Sequence, residues 1–369
     1  MQSCKSFGMG KVVPVGEGRL DPLYASLRRR RLDAYLSVRS SNIRYLTGFT
    51  GEDSALLITG AGAFLLTDGR FGIQAREEVR GAEVVVTDRK WEEAARRLRL
   101  VRAHRIGYEG SWLSMESFRK CSGGRAQRWV SDKDFVAPLR MRKEPREILA
   151  IEAAAANAAA SMLSVLSQGF DGKTEQDVAA DIEREMKRRG AEGPSFPLIV
   201  ADEARSAMPH AIPTRNRIGT KGPLVLDFGA RKGGYCSDET VTILPRNPRR
   251  PLRKAYDAVR RAQEAGISSI RPEIACAKVD AQVRESLDRS GYLKYFVHST
   301  GHGVGLDIHE RPALSPRSKD RIEEGMVLTV EPGVYLPGIG GIRLEDTVKV
   351  TGSGCERITF LPKTETPLI

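Results

Sequence analysis

The sequence predicts a mixed α/β (α+β) chain of two domains, residues 1–140 and 141–369. Three observations predict it. The 369 residues exceed one usual core and suit two domains. The first part of the chain alternates strand-like and helix-like segments, the mark of an α/β layer structure. Beyond Arg146 a pattern of helix, helix and β-hairpin occurs twice, which predicts a pseudo-two-fold second domain.

Each element has a local reason. Residues 1–18 read as irregular and frayed. Pro22–Arg31 reads as a helix with Asp21 as its N-cap, because proline suits the first helical turn. Ala34–Val38, Ser54–Thr59 and Ala63–Thr67 read as strands, Arg70–Glu78 as a helix, Glu83–Thr87 as a strand and Trp91–Leu98 as a helix. Asp68 and Arg70 read as a structural pair. Ala137–Arg146, with prolines at both ends, reads as the linker. Glu147–Leu166 is Ala-rich with a Leu/Met/Val face and predicts a long helix. Thr174 with Asp177 three residues on predicts a capping-box-like start, and Gly190 ends that helix. Leu252–Ala265 and Ala277–Ser290 predict the second helix pair.

Composition excludes several classes. Hydrophobic residues at 40% and charged residues at 29% are ordinary for a globular chain. No apolar run approaches the roughly 20 residues of a membrane span, and the first residues lack a signal-peptide apolar core, so neither membrane nor export is expected. Five cysteines at 4, 121, 236, 276 and 355, without a CxxC pair, point to a reducing cytoplasm rather than a disulfide framework. The net charge of +12 raises nucleic-acid binding. Much of the surplus lies in Arg28–Arg31 and Arg96–Arg105, which read as solvated faces, so no nucleic-acid partner is expected.

Chemistry concentrates in two hairpins. In Leu224–Ile243, LVLDFGARKGGYCSDETVTI, two apolar runs flank a Gly-containing turn. A turn centred on Lys232-Gly233 places Asp227 opposite Asp238 on one face. In the second, VLTVEPGVY (Val327–Tyr335) and GIRLEDTVKV (Gly341–Val350) flank a loop carrying Pro337, Gly338 and Gly340. Centring on Gly338 places Glu331 opposite Glu345. Like charges directly opposite destabilise a sheet, and a cation between them is the usual compensation. Between the hairpins lies STGHGVGLDIHE (Ser299–Glu310), where glycines let the backbone around His302 approach a neighbour closely. One imidazole with four carboxylates suits Mn²⁺, Co²⁺ or Zn²⁺, and a pair of ions about 3.5–4 Å apart is the usual hydrolytic arrangement.

These segments resemble the pita-bread metallopeptidases: Xaa-Pro aminopeptidases, Xaa-Pro dipeptidases (prolidases), methionine aminopeptidases and the related metal-free creatinase. The matching stretches are SFPLIV (Ser195–Val200), SAMPHAIPT (Ser206–Thr214), Leu226–Thr242, HSTGHGVGLDIHERP (His298–Pro312), EGMVLTVEPGVY (Glu324–Tyr335) and GIRLEDTV (Gly341–Val348), with NIRYLTGFTG (Asn42–Gly51) and TDGRF (Thr67–Phe71) upstream. The resemblance implies a creatinase-like N-terminal domain that shapes the substrate cleft and mediates dimer contacts, followed by a pita-bread catalytic domain. It implies two divalent ions per chain, Mn²⁺ foremost, held by Asp227, Asp238, His302, Glu331 and Glu345, with Asp238 and Glu345 bridging. It implies Glu331 as general acid/base, His309 and His210 as further catalytic groups, and His210, His298, His309 and Arg343 as substrate-binding groups. The implied reaction is hydrolysis of Xaa-Pro peptide bonds by a cytoplasmic homodimer. A metal-free creatinase-like amidinohydrolase does not fit an intact ligand set, and a catalytically silent pita-bread binding protein would have lost ligands. One departure stands out: the usual S-D-x-T-R-T run has Val241 in place of Arg, which leaves the ligands intact and bears on substrate preference.

Overall fold

The computed structural model describes residues 18–122, 127–132 and 135–363. The chain divides between Arg140 and Met141 into two compact units. The expectation for residues 1–17 lies outside the described residues.

The N-terminal unit is built on a six-stranded sheet. In chain order its elements are α1 (Asp21–Arg30), β1 (Ala34–Ser37), α2 (Ser40–Thr47), β2 (Ser54–Thr59), β3 (Gly62–Thr67), a short 3₁₀ turn (Gly69–Phe71), α3 (Gly72–Glu78), β4 (Glu83–Val86), α4 (Lys90–Leu100), β5 (Arg105–Tyr108), α5 (Met115–Cys121) and β6 (Arg128–Ser131). The sheet order is β4-β3-β2-β1-β5-β6. The three central strands form an antiparallel meander, while β4, β5 and β6 join in parallel. Leu36, Leu57, Leu66, Leu98 and Ile106 fill the core on one side of it, each burial stabilising by about 1.5–3 kcal/mol. The expected N-cap fails: Asp21 lies inside α1, and Leu20 occupies the cap without a side-chain bond. Asp68 and Arg70 do pair, at 2.6 Å, and Asp68 also caps the 3₁₀ turn. The basic run on α4 is interleaved with acid, since Arg96 and Arg97 both bind Glu93.

The second unit follows α6 (Ala137–Met141), a single turn inside the expected linker. Its helices are α7 (Pro145–Leu166), α8 (Glu175–Arg188), α9 (Arg250–Ser269) and α10 (Cys276–Arg289). Both members of the Thr174/Asp177 capping box form on α8, and Gly190, at φ 82°, lies just beyond its end. Helix α7 corrects the expectation about apolar runs: it is long and apolar enough to span a membrane by composition alone. It packs instead as a core helix, burying Ile151, Met162, Val165 and Leu166.

The strands are β7 (Gly193–Pro194), β8 (Ile199–Asp202), β9 (Leu224–Phe228), β10 (Ala230–Lys232), β11 (Tyr235–Cys236), β12 (Glu239–Ile243), β13 (Gly301–Gly303), β14 (Glu310–Leu314), β15 (Val327–Val330), β16 (Gly333–Leu336), β17 (Gly340–Arg343), β18 (Asp346–Val350) and β19 (Cys355–Arg357). Two halves result. In the first, α7 and α8 pack with β8, β9 and β12 around Leu226, Phe228 and Met162. In the second, α9 and α10 pack with β15 to β18 around Tyr256, Leu328 and Ile342. A β-bridge between Thr240 and Glu345 joins them.

The first hairpin's expected register is corrected by two residues. Its turn is Gly233-Gly234, both at positive φ, and Thr240 stands opposite Asp227. Asp238 is therefore the diagonal neighbour of Asp227 on the same face. The second register runs as expected on both sides of the carboxylates, with Val330 opposite Asp346 and Gly333 opposite Arg343. The continuous strands expected there are each split in two. Pro332 has no N–H to give the ladder, so pairing breaks at Glu331 and resumes after it.

Candidate metal centre

Every site residue expected from the sequence lines one cavity of about 500 Å³. Asp227, Asp238, His302, Glu331 and Glu345 share it with His210, His298, His309 and Arg343. Its remaining wall is apolar, with Phe196, Pro197, Pro209, Ile212 and Ile308 among its residues.

The tightest group is Asp238, His302 and Glu345, whose ligand atoms all lie within 4.8 Å of one another. His302 comes from the short strand β13. Its glycine neighbours are forced by packing: a Cβ on Gly301 would stand 2.0 Å from the carbonyl oxygen of Thr329, and one on Gly303 would stand 2.4 Å from that of Arg311. The close neighbours of these glycines are thus strands, and the effect is to aim the imidazole inward. The His302 peptide N–H donates to Thr329 Oγ1, and ring Nδ1 donates to the Gly303 carbonyl. Nε2 faces the acids: with a proton it donates to Glu331, and with that proton displaced it would offer a lone pair to a cation. Nε2 lies 3.6 Å from Asp238 and 3.3 Å from Glu331.

Asp227 turns elsewhere. One oxygen accepts from Arg343 Nη2 at 2.5 Å. Arg343 also donates to Tyr335, to the Pro209 carbonyl and to Thr240 Oγ1. Arg343, expected as a substrate-binding group, binds the Asp227 carboxylate and also lines the cavity.

The donor set fits a divalent cation on an observation of its own. Asp227 Oδ1 and Glu345 Oε1 are buried and have no hydrogen-bond partner. A buried carboxylate oxygen with nothing to accept from is costly. The other oxygen of Glu345 accepts from Thr240 at 2.7 Å. Burial first, then repulsion among the carboxylates, pushes Asp238 and Glu345 well above the ordinary carboxylate range. Burial likewise raises Asp227 against the pull of Arg343. Glu331 is opposed by burial too, but its bond to His302 outweighs that and holds it below the ordinary value. The centre thus retains protons that a cation displaces.

Sequence reasoning missed Tyr335, Thr240 and Thr329. Tyr335 accepts from Arg343 and donates to His298 Nε2 at 2.9 Å, while His298 Nδ1 donates to the Ser299 carbonyl. Burial lowers the His298 pKa, which keeps the ring neutral in this relay. Tyr335 reads as a core residue because it sits in an apolar strand; its hydroxyl partner comes from the facing strand. Thr240 becomes visible only once the register is right. His309 stacks edge-on against His302 at 4.4 Å between ring centres and is lowered by burial and by that neighbour. His210 is exposed on the cavity wall. Val241 is buried among the apolar residues behind the first hairpin. It does not line the cavity.

Residues 146–352 match the model for Metallopeptidase family M24, and residues 19–142 match that for the Creatinase/Prolidase N-terminal domain. The Xaa-Pro dipeptidase of Pyrococcus furiosus is 34% identical over 95% of this chain and 99% of its own. A solved structure of an Xaa-Pro dipeptidase from Bacillus anthracis superposes with a TM-score of 0.90 at 36% identity, covering 94% of this chain and 98% of that one. An X-Pro aminopeptidase from Thermotoga maritima superposes with a TM-score of 0.82 at 33% identity, covering 92% and 99%.

Proposed function

The chain belongs to Metallopeptidase family M24, and from that premise we propose that it is a metallopeptidase hydrolysing Xaa-Pro peptide bonds. The observation that carries this reading is the convergence of all five acidic and imidazole ligands, with two orphaned carboxylate oxygens, in one apolar cavity. We assign the metal to Asp227, Asp238, His302, Glu331 and Glu345, as two ions, with Mn²⁺ foremost and Co²⁺ or Zn²⁺ as substitutes. Bound there, the ions supply Lewis acidity that makes water nucleophilic near neutral pH.

The chain's own groups do the rest. Glu331, held ionised against His302, takes the proton of the attacking water and returns it to the prolyl nitrogen as the peptide bond breaks. His309 donates a hydrogen bond to the oxygen of the attacked carbonyl. A prolyl amide has no N–H, so its pocket needs no acceptor for one. Phe196, Pro197, Pro209, Ile212 and Ile308 offer apolar contact for the pyrrolidine and the residue before it. His210 and His298 bound the same pocket, and the Tyr335 relay orients His298. Relatives carry both dipeptidase and aminopeptidase names, and the far end of the cleft separates the two. We place the protein in the cytoplasm, in keeping with its free cysteines at 121, 236, 276 and 355, and as a homodimer.

Hydrolysis of Ala-Pro beside Ala-Pro-Ala and longer Xaa-Pro peptides tests the proposal, in Mn²⁺ and after chelation, with Asp238→Ala as control. Cleavage of the dipeptide alone identifies a dipeptidase; cleavage of longer chains identifies an aminopeptidase. A folded protein that cleaves none of them in any divalent metal overturns the proposal and revives a binding role.

A further inference from the structure

The two bridging candidates, Asp238 and Glu345, are each followed by another acid. Asp238 precedes Glu239 at the start of β12, and Glu345 precedes Asp346 at the start of β18. Glu239 and Asp346 open the strands themselves and do not line the cavity, so they lie behind the metal-facing carboxylates. They are buried, at 1% and 4% exposure. Behind the cavity, then, a second pair of acids mirrors the first, one from each half of the domain.

A single lysine sits between them. Beyond β19 the chain returns, and Lys363 Nζ donates to Glu239 Oε1 at 2.5 Å and to Asp346 Oδ1 at 3.1 Å. The Lys363 side chain is 8% exposed. A third bond goes to the Leu361 carbonyl at 3.1 Å, and the Leu361 N–H donates to Glu239. Asp346 is held further by Thr359, Arg357 and Gln263. Glu239 has less: its second oxygen is buried without a partner.

We infer that Lys363 is a positioning residue for the metal centre, clamping β12 to β18 through Glu239 and Asp346 so that Asp238 and Glu345 stay within reach of one ion. Without the lysine, two buried carboxylates from different halves face each other with one cation fewer between them, and repulsion drives the ligand strands apart. The Thr240–Glu345 contact and the bond from the Thr347 hydroxyl to the Asp238 carbonyl then hold the strands on the ligand side, with no cation between the acids behind them. A merely structural ion cluster would alter stability and leave ligand geometry alone.

The inference rests on the metal reading above, and the test separates the two. Mn²⁺ binding is measured by titration calorimetry on wild type, Lys363→Met, Glu239→Gln, Asp238→Ala and Leu287→Ala, the last a core truncation in α10. Lys363→Met should weaken Mn²⁺ binding about tenfold or more, as loss of a group supporting a metal ligand does. Leu287→Ala should lower thermal stability with affinity unchanged. Should Lys363→Met not fold, Glu239→Gln cuts one arm of the clamp while leaving no unpaired cation or anion, and severalfold weaker binding is expected. Wild-type affinity in whichever of these two variants folds overturns the role of Lys363 while leaving the metal centre standing, provided Asp238→Ala has lost it. Failure of wild type itself to bind Mn²⁺ overturns both.

Discussion

At the residue scale, the centre is governed by which oxygens have partners and which do not. Glu345 has one oxygen on Thr240 and one free; Asp227 has one on Arg343 and one free. Each is oriented by one bond and presents the other oxygen to the cavity. His298 is oriented in the same way from behind, by the chain Arg343 to Tyr335 to His298 to Ser299. Tyr335→Phe removes the middle link, leaving a buried Arg343 donor and a half-buried His298 acceptor unmatched. Each such group costs about 1–3 kcal/mol. The expected result is a fall of about tenfold in kcat/KM for an Xaa-Pro peptide, read by steady-state kinetics. Unchanged kinetics would show that the ring of His298 needs no such support.

At the element scale, strands place the ligands by interruption as much as by regularity. Asp238 lies between β11 and β12, Glu331 between β15 and β16, and Glu345 between β17 and β18. At each break the ladder releases the chain, and a side chain can turn into the cavity instead of standing in the pleat. Pro332 makes one break unavoidable, because it cannot donate. Helices, by contrast, are bounded by local chemistry. Thr174 Oγ1 accepts from the Asp177 N–H at 3.2 Å, and Asp177 accepts in return from the Thr174 N–H at 2.8 Å. Thr174→Ala should destabilise the unit by about 1 kcal/mol, seen as a lower urea midpoint with unchanged slope. No shift would mean that α8 is held wholly by its buried face.

At the scale of the whole molecule, folding gathers acids that would repel one another without a counter-charge. Asp238, Glu345 and Asp227 are all raised by burial. Over the range between their unfolded and folded values, the native metal-free chain holds more protons than the unfolded one. Their contribution to stability is therefore lost as pH rises through that range. A divalent cation takes the protons' place, so the gain in Tm on adding Mn²⁺ should grow as pH rises from about 5 to about 7.5. A gain independent of pH would mean that these acids do not exchange protons for metal.

By itself the sequence determined most helices, most strands and the residues that gather around the cavity. Apolar periodicity, capping pairs such as Thr174 and Asp177, and the motif around His302 are local signals, and local signals survive in one dimension. The second hairpin's register was legible because its pairing is symmetric about Gly338 on both sides of the carboxylates. The first was not, because Gly229 and Ser237 pass so close that a Cβ on the glycine would stand 1.9 Å from the Ser237 oxygen, and the turn settled on the two glycines able to hold positive φ. Only the tertiary structure decided what meets across long separations. Tyr335 with His298, Thr240 with Glu345, and Lys363 with Glu239 and Asp346 are joined by the packing of two halves around one cavity. Electrostatic partnership is set by distance in space, and no periodicity along the chain encodes it.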